Sequence, residues 1–405
     1  MSTTAPPVVE LTGYPQLWDA LRQRDLRQGL YDAGGVVMAG TLLDLHGSEH
    51  QRRRRVENRL FRRGTFRWWE RELVPGVIDE AFAPGLAAGR ADLVQLGYRT
   101  TMALTALVAG ADRPTGTTEE TDALQRFAVV FSEGATLVHS TRDHAEVRAE
   151  VAAALVRFDE QFFTPALERR QALLAAGVPE SERPRDVLMA LLAHADELDV
   201  DRDQMLREVA FYLQAGSHST AAAFTHAADE VLRWAAGDPA RTARLDDDLF
   251  VQRCAHEAFR LHPASPVAQR RAVADVVLRD GRVLPAGTAV VLDIRAANRD
   301  PEVFGADADA FDPDRSVPDG VAPWGHTFGG GMHACIGMEL DGGIAPRPGA
   351  EDEHVLGTVP LMLRELLRHG VRPDPGSPPT RDPHSRREHF GSYPVLFDRP
   401  SRSTS

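Results

Sequence analysis

Phe328-Gly329-Gly330-Gly331-Met332-His333-Ala334-Cys335-Ile336-Gly337 sets three consecutive glycines just before a cysteine, and this segment decides how the rest of the chain is read. Consecutive glycines remove side-chain bulk and permit positive φ, so the backbone can close tightly around whatever sits on the cysteine. Backbone N–H groups directed at sulfur stabilise its anion and tune its donation to a metal, which is what a thiolate ligand requires. A buried free cysteine after a glycine-rich turn is the competing reading.

The composition around it narrows the options. The chain has 405 residues with 46 basic and 59 acidic side chains, a net charge of −13, and not one lysine. Every basic residue is therefore an arginine, which suits anions but cannot act as a neutral amine. Schiff-base chemistry and a lysine-dependent phosphate loop are excluded. Two cysteines, Cys254 and Cys335, are too few for a disulfide scaffold or a cysteine-built zinc site. Cys254 reads as a buried hydrophobe, and Phe66, Trp68 and Trp69 read as core packing. The amino terminus lacks a basic start followed by an apolar run, and no stretch approaches the ~20 apolar residues that span a bilayer. A cytoplasmic protein with no membrane partner is expected. The acidic total argues against nucleic acid, although residues 51–71 hold nine arginines against two glutamates.

Helical spacing of Ala and Leu dominates from about residue 60 to 234, with one long pattern over 203–236, roughly 50 Å at 1.5 Å per residue. Gly216 interrupts it at a cost of about 1 kcal/mol relative to Ala, so a close approach by another group is expected there. Residues 273–292 alternate as short strands with turns, residues 297–331 are irregular and rich in Asp, Pro and Gly, a last helix is expected over 353–369, and a short strand over 393–397. The fold class is mainly α with a small β region, in a single domain over 1–405.

The cysteine segment resembles the fingerprint of the cytochrome P-450 superfamily, Phe-x-x-Gly-x-x-x-Cys-x-Gly. Phe328, Gly331, Cys335 and Gly337 fill every fixed position, with Gly329 in the same loop. The resemblance implies the heme-binding fold of that family, heme b as cofactor, and Cys335 as axial ligand to its iron, within a loop and helix start over 321–343. It also implies a Glu-x-x-Arg pair closed by a second arginine from the following irregular stretch, here Glu257, Arg260 and Arg315, a structural cluster that fixes the heme-binding core. For the heme propionates it implies His50 and Arg54 in Glu49-His50-Gln51-Arg52-Arg53-Arg54, Arg270 (with Arg271 as the alternative) and His333.

On the long helix, Ala215-Gly216-Ser217-His218-Ser219-Thr220 aligns with the family's segment over the open face of the heme. Gly216 would leave room for dioxygen. Where the family places an acid and a threonine to relay protons, this chain has His218 and Ser219, with Thr220 next. His218 as an alternative donor near neutral pH is one expectation; a satisfied polar residue against another helix is the other. Only 48 residues precede Glu49, so residues 1–45 are expected to hold a shortened version of the family's amino-terminal sheet. Residues 341–354 read as an insertion, because Pro346 and Pro348 forbid a regular helix. It would share a face with the arginine-rich helix of 51–71, which could attract an acidic ferredoxin.

The resemblance thus implies a heme-thiolate monooxygenase that uses dioxygen and two electrons to hydroxylate, epoxidise or couple a small organic substrate, supplied by ferredoxin and ferredoxin reductase with NAD(P)H. A tailoring step in secondary metabolism is the expected setting. The alternatives are a peroxide-dependent or non-oxygenating enzyme of the same kind, and a heme-thiolate protein that binds ligands without turnover.

Overall fold

The computed structural model describes residues 8–346, 349 and 353–398. The order of the elements that place the site is β1 (Val8–Leu11), α1 (Tyr14–Ala20), β2 (Leu26–Gln28), α2 (Gly47–Glu57), α3 (Arg63–Glu72), β3 (Arg90–Asp92), α4 (Leu93–Ala109), α5 (Thr118–Ala135), α6 (Arg202–Ala235), α7 (Asp248–Leu261), β4 (Val267–Ala272), β5 (Ala289–Asp293), α8 (Met338–Gly342), α9 (Thr358–Arg368), β6 (Val371–Pro373) and β7 (Pro394–Phe397).

The long helix α6 organises the body. Asp201 starts it with a capping box: its carboxylate accepts from the Gln204 N–H at 2.7 Å, and the Gln204 side chain accepts from the Asp201 N–H at 2.8 Å. The helix passes through two apolar cores. Val209 and Leu213 pack with Phe131, Phe158 and Phe163 in the first, whereas Phe224, Ala227 and Val231 pack with Phe250, Phe259 and Leu363 in the second. The polar stretch with Gly216, His218 and Ser219 lies between them. The cysteine loop arrives at this junction, with Ile336 against the first core and Phe328 against the second.

Gly216 has a packing reason. A Cβ there would lie 2.5 Å from Thr105 Cγ2 on α4, and one at Gly97 of α4 would lie 3.3 Å from Ala221. The two helices approach closely at these glycines. The space that Gly216 saves is filled by Thr105, which differs from the expected room for dioxygen.

The four-stranded sheet has the order β1-β5-β4-β2, with β1 parallel to β5 and the other pairs antiparallel. Both β1 and β2 precede α2, so the segment before residue 45 contributes to this sheet directly. Gln28 pairs with Arg270 in register, and strand alternation turns Arg270 inward while Arg271 stays half-buried. β7 pairs with β3 and β6 in a second sheet.

Two expected elements differ. The arginine-rich stretch 51–71 is broken into α2 and α3 by a turn rather than forming one helix. The final helix begins at Thr358 instead of residue 353, because Gly357 adopts φ 96 and its Cβ would lie 2.4 Å from the Gly343 nitrogen. Between α8 and α9, Ile344 and Val355 form an antiparallel bridge. The backbone groups freed by the interruption find side-chain partners. Gln252 donates to the carbonyls of Val355 and Leu356 at 2.9 and 2.8 Å, His256 contacts the Gly342 carbonyl at 2.6 Å, and Glu70 accepts from the Leu356 and Gly357 N–H groups. Pro348 lies outside the described residues.

Candidate active site

The cysteine loop is built by local contacts that its residues dictate. The Cys335 N–H donates to the Phe328 carbonyl at 2.8 Å, while the Gly337 and Met338 N–H groups point at the sulfur. Phe328 stands edge-on to Phe259 and Trp324, at 5.6 and 5.5 Å between ring centres, which pins the loop to α7. Gly331 has φ 65, and a Cβ there would lie 2.2 Å from the Leu21 carbonyl oxygen. Only glycine lets the loop pass the end of α1.

Cys335 is not covered by other side chains, yet burial pushes its thiol up to about 11, with the Gly337 amide pulling the other way. Both hold for a side chain that opens on an interior space with low-dielectric walls. Such a thiol stays protonated unless a cation replaces the proton, as a metal does. An added Cβ at Gly337 would meet no protein atom within 4 Å, so that glycine is not spent on packing against the chain itself. Cys254, in contrast, is wholly buried and pushed up to about 12 by desolvation.

The loop is anchored by the Glu257 cluster. Arg315 Nε donates to Glu257 Oε1 at 3.0 Å, beside Arg260, and the Asp312 N–H donates to the same oxygen. Arg260 also donates to the Asn298 and Ala308 carbonyls, both at 2.7 Å. Asn298 then reaches the cysteine loop: its oxygen accepts from the His326 N–H at 2.7 Å, and its amide donates to Thr327 Oγ1 at 3.0 Å. Asn298 stands in the irregular stretch after residue 297 without a role assigned to it, since nothing in its local pattern marks contacts 26 to 38 positions away.

A second group converges next to the loop. His50 and His333 stand 4.4 Å apart between ring centres, with all four of their nitrogens unpartnered. Arg54 donates to the Ala334 carbonyl at 2.8 Å. Desolvation, with Arg54 and His46, holds His50 down to about 4, and desolvation, with His50, Arg270, His46 and Arg54, holds His333 down to about 2. Arg270 is buried against the Gln28 side chain and the Gln269 carbonyl and falls to about 10 through desolvation. Among the described residues no carboxylate lies within ion-pair distance of these three. Arg54 and Arg270 bring two guanidinium charges here, and the two neutral imidazoles bring four unpartnered nitrogens; such a set without an anion is costly, and a dianionic ligand beside the thiol answers it. Heme, with two propionates and an iron for sulfur, fits these residues.

Above the junction the side chains are differently disposed. Ser219 Oγ donates to the Ala215 carbonyl at 2.6 Å. Thr220 bonds to the Asp341 carboxyl on α8, which burial raises to about 7. His218 Nδ1 bonds to the Tyr98 hydroxyl and its Nε2 has no partner. Desolvation, with Arg387, lowers His218 to about 3. The ring is therefore neutral near pH 7, which differs from a histidine poised to donate a proton there. Trp68, read as core, is 39 % exposed and lies under the Arg185 guanidinium.

The family model described as cytochrome P-450 matches residues 226–340. Nocardicin C N-oxygenase of Nocardia uniformis subsp. tsuyamanensis is 31 % identical over 310 residues, which cover 75 % of this chain and 68 % of that protein. Cytochrome P-450 78A11 of Oryza sativa subsp. japonica is 31 % identical over 48 % of this chain and 37 % of its own length. Among solved structures, CalO2 superposes with a TM-score of 0.74 at 21 % identity, covering 97 % of this chain and 91 % of that one. CxnD, described as a P-450 enzyme for C–S bond formation in chuangxinmycin biosynthesis, superposes with a TM-score of 0.72 at 18 % identity over 96 % and 89 %. Fold and site together define a heme-thiolate oxidoreductase. The chain belongs to the cytochrome P-450 family, and it is an enzyme of that type. No helix among the described residues is long and apolar enough to cross a membrane.

Proposed function

We propose that the chain oxidises a small organic molecule with dioxygen and two electrons, as a tailoring step in secondary metabolism. The observation that carries this reading is the desolvated Cys335 thiol, aimed at by two amides, beside two guanidinium groups and two imidazoles whose nitrogens have no partner. Heme bound there supplies the redox chemistry by which dioxygen is reduced and the substrate oxidised. Cys335 would hold the iron as thiolate, while His50, Arg54, Arg270 and His333 would hold the propionates. Ser219 Oγ, fixed by the Ala215 carbonyl, is the hydroxyl best disposed to hold a proton over the open face, because Thr220 is committed to Asp341. Electron delivery falls to an acidic ferredoxin. Arg52, Arg55, Arg62 and Arg71 are exposed on one basic stretch, and Arg63 ties it to the helix after the cysteine through Glu339 at 3.3 Å and meets Glu353, beyond that helix, at 3.8 Å.

One observation favours a second reading, a peroxide-dependent or non-oxygenating reaction: position 218 carries a neutral ring where a relay acid is expected. Heme-loaded protein should be compared with a surrogate ferredoxin, reductase and NADPH under labelled dioxygen, and with peroxide alone, on a panel of aromatic probes. Labelled product in the first arm supports the oxygenase. Product only with peroxide supports the second reading, and neither, with probes still bound, supports a ligand-binding protein.

A further inference from the structure

Five arginines are buried among the described residues: Arg53, Arg170, Arg260, Arg270 and Arg387. Three carry carboxylates at short range. Arg53 meets Glu208 at 2.7 Å, Arg170 meets Asp186 at 2.6 Å and Asp112 at 3.0 Å, and Arg260 meets Glu257 at 2.6 Å. Arg270 belongs to the cationic set beside the cysteine. Arg387 is left over, and no carboxylate lies within ion-pair distance of it among the described residues. Its side chain makes one hydrogen bond, from Nη2 to the Thr136 hydroxyl at 3.2 Å, and its buried Nε has no partner.

The position is built. The tail segment that carries Arg387 is zipped to the end of α5 by an antiparallel bridge between Ser140 and Ser385, by the Arg386 N–H on the His139 carbonyl at 2.8 Å and by the Thr141 N–H on the His384 carbonyl at 3.2 Å. The guanidinium is surrounded by neutral groups with spare hydrogen-bonding atoms. His218 Nε2, His139 Nε2 and both nitrogens of His389 are buried and unpartnered, and all three rings are held neutral by desolvation with Arg387 adding to it. Of the other charged groups, Arg386 also acts on His139, and Asp382 acts on Arg387 from beyond ion-pair range. Arg387 shares the interior with the proposed heme site, because the half-buried Tyr31 phenol feels Arg270, Arg387 and Cys335 at once.

A buried guanidinium with no counter-charge is disfavoured unless an anion arrives, and one guanidinium among neutral imidazoles balances one negative charge. We propose that Arg387 anchors a carboxylate carried by the organic substrate, with the free imidazole nitrogens of His218 and His389 completing its hydrogen bonds. This rests on the heme-thiolate reading above and adds to it the class of substrate: an organic acid held by its carboxylate while another part of the molecule faces the iron. A phosphate dianion would leave one charge uncompensated in the same surroundings.

The test uses full-length, heme-loaded protein and arylalkanoic acids of increasing chain length, each paired with its primary amide. Binding is measured by calorimetry and by the change in heme absorbance. A charge-assisted bond to a buried guanidinium predicts that the acid binds roughly tenfold to a hundredfold tighter than the amide. Arg387→Met should abolish this preference with heme content unchanged, and Arg387→Lys should keep part of it. Removing an unpaired buried charge should leave the melting temperature of Arg387→Met unchanged or raised. Equal binding of acid and amide, no binding at any chain length, or a preference that survives Arg387→Met overturns the proposal. So does loss of heme in Arg387→Met, which would make Arg387 a propionate ligand, and so does competition by inorganic phosphate at equal strength. If wild-type protein shows no thiolate-type heme spectrum, the heme reading fails by itself, and the acid-over-amide preference is still read by calorimetry.

Discussion

Arg260 donates to both carboxylate oxygens of Glu257, from Nη2 to Oε1 at 2.6 Å and from Nε to Oε2 at 2.8 Å, with both side chains buried. The pair sits three residues apart on α7, and through Asn298 it sets the cysteine loop. Arg260→Met would leave Glu257 with Arg315 and the Asp312 N–H and strip donors from the Asn298 and Ala308 carbonyls. Breaking a buried pair from one side costs about 3–5 kcal/mol. Urea denaturation should show a loss of that order together with poor heme retention; a loss below about 1 kcal/mol would show that the cluster does not set the core.

A second buried network predicts the pH dependence of stability. Arg53 lies between Glu208 at 2.7 Å and Glu57 at 3.9 Å, and Tyr212 donates to Glu57 at 2.5 Å. One guanidinium faces two carboxylates, and desolvation raises Glu57 to about 7 and Glu208 well above its ordinary value. The folded state therefore holds a proton that the unfolded chain releases near its usual carboxylate pKa. Stability from this source is complete at low pH and lost as pH rises towards about 7. Glu57→Gln should flatten that part of the stability profile and gain stability at pH above 7 relative to wild type, read from melting temperatures across pH. An unchanged slope would contradict the shared proton.

His218 is held neutral by burial. Ring resonances of labelled histidine assigned to His218 should stay constant between about pH 5 and 8, and the turnover profile of His218→Phe should keep its wild-type shape. A titration in that window, or an alkaline limb lost in the variant, would restore His218 as a proton donor.

Two glycines of the loop separate folding from cofactor binding. Gly331→Ala forces a residue with φ 65 against the Leu21 carbonyl and should lower the melting temperature even without heme. Gly337→Ala meets no protein atom within 4 Å and should leave heme-free folding intact while weakening heme uptake. Equal effects of both on the heme-free protein would show that Gly337 serves packing within the chain.

Legibility in the sequence followed how local each feature is. The cysteine loop and the Glu257–Arg260 pair are readable because the interacting residues are neighbours in the chain, and the alternation around residues 267–293 shows the small sheet. Arg387 escaped notice because it lies in a Pro-rich polar tail without periodicity, and its meaning comes from Thr136, which is 251 positions away. The Glu57–Arg53–Glu208 network likewise depends on a contact across 155 residues. Gly216 was visible as an anomaly, but its neighbour Thr105 belongs to a helix whose approach no local pattern announces.

The central claim is that Cys335 is a thiolate ligand to heme iron in this chain. The most direct measurement is the absorption spectrum of the reduced, carbon-monoxide-bound protein after heme loading. Wild type should show the strongly red-shifted band of a thiolate-ligated ferrous carbonyl, and Cys335→Ser with Cys254 intact should lose it. A histidine-type band in wild type, or a thiolate-type band that survives Cys335→Ser, would contradict it.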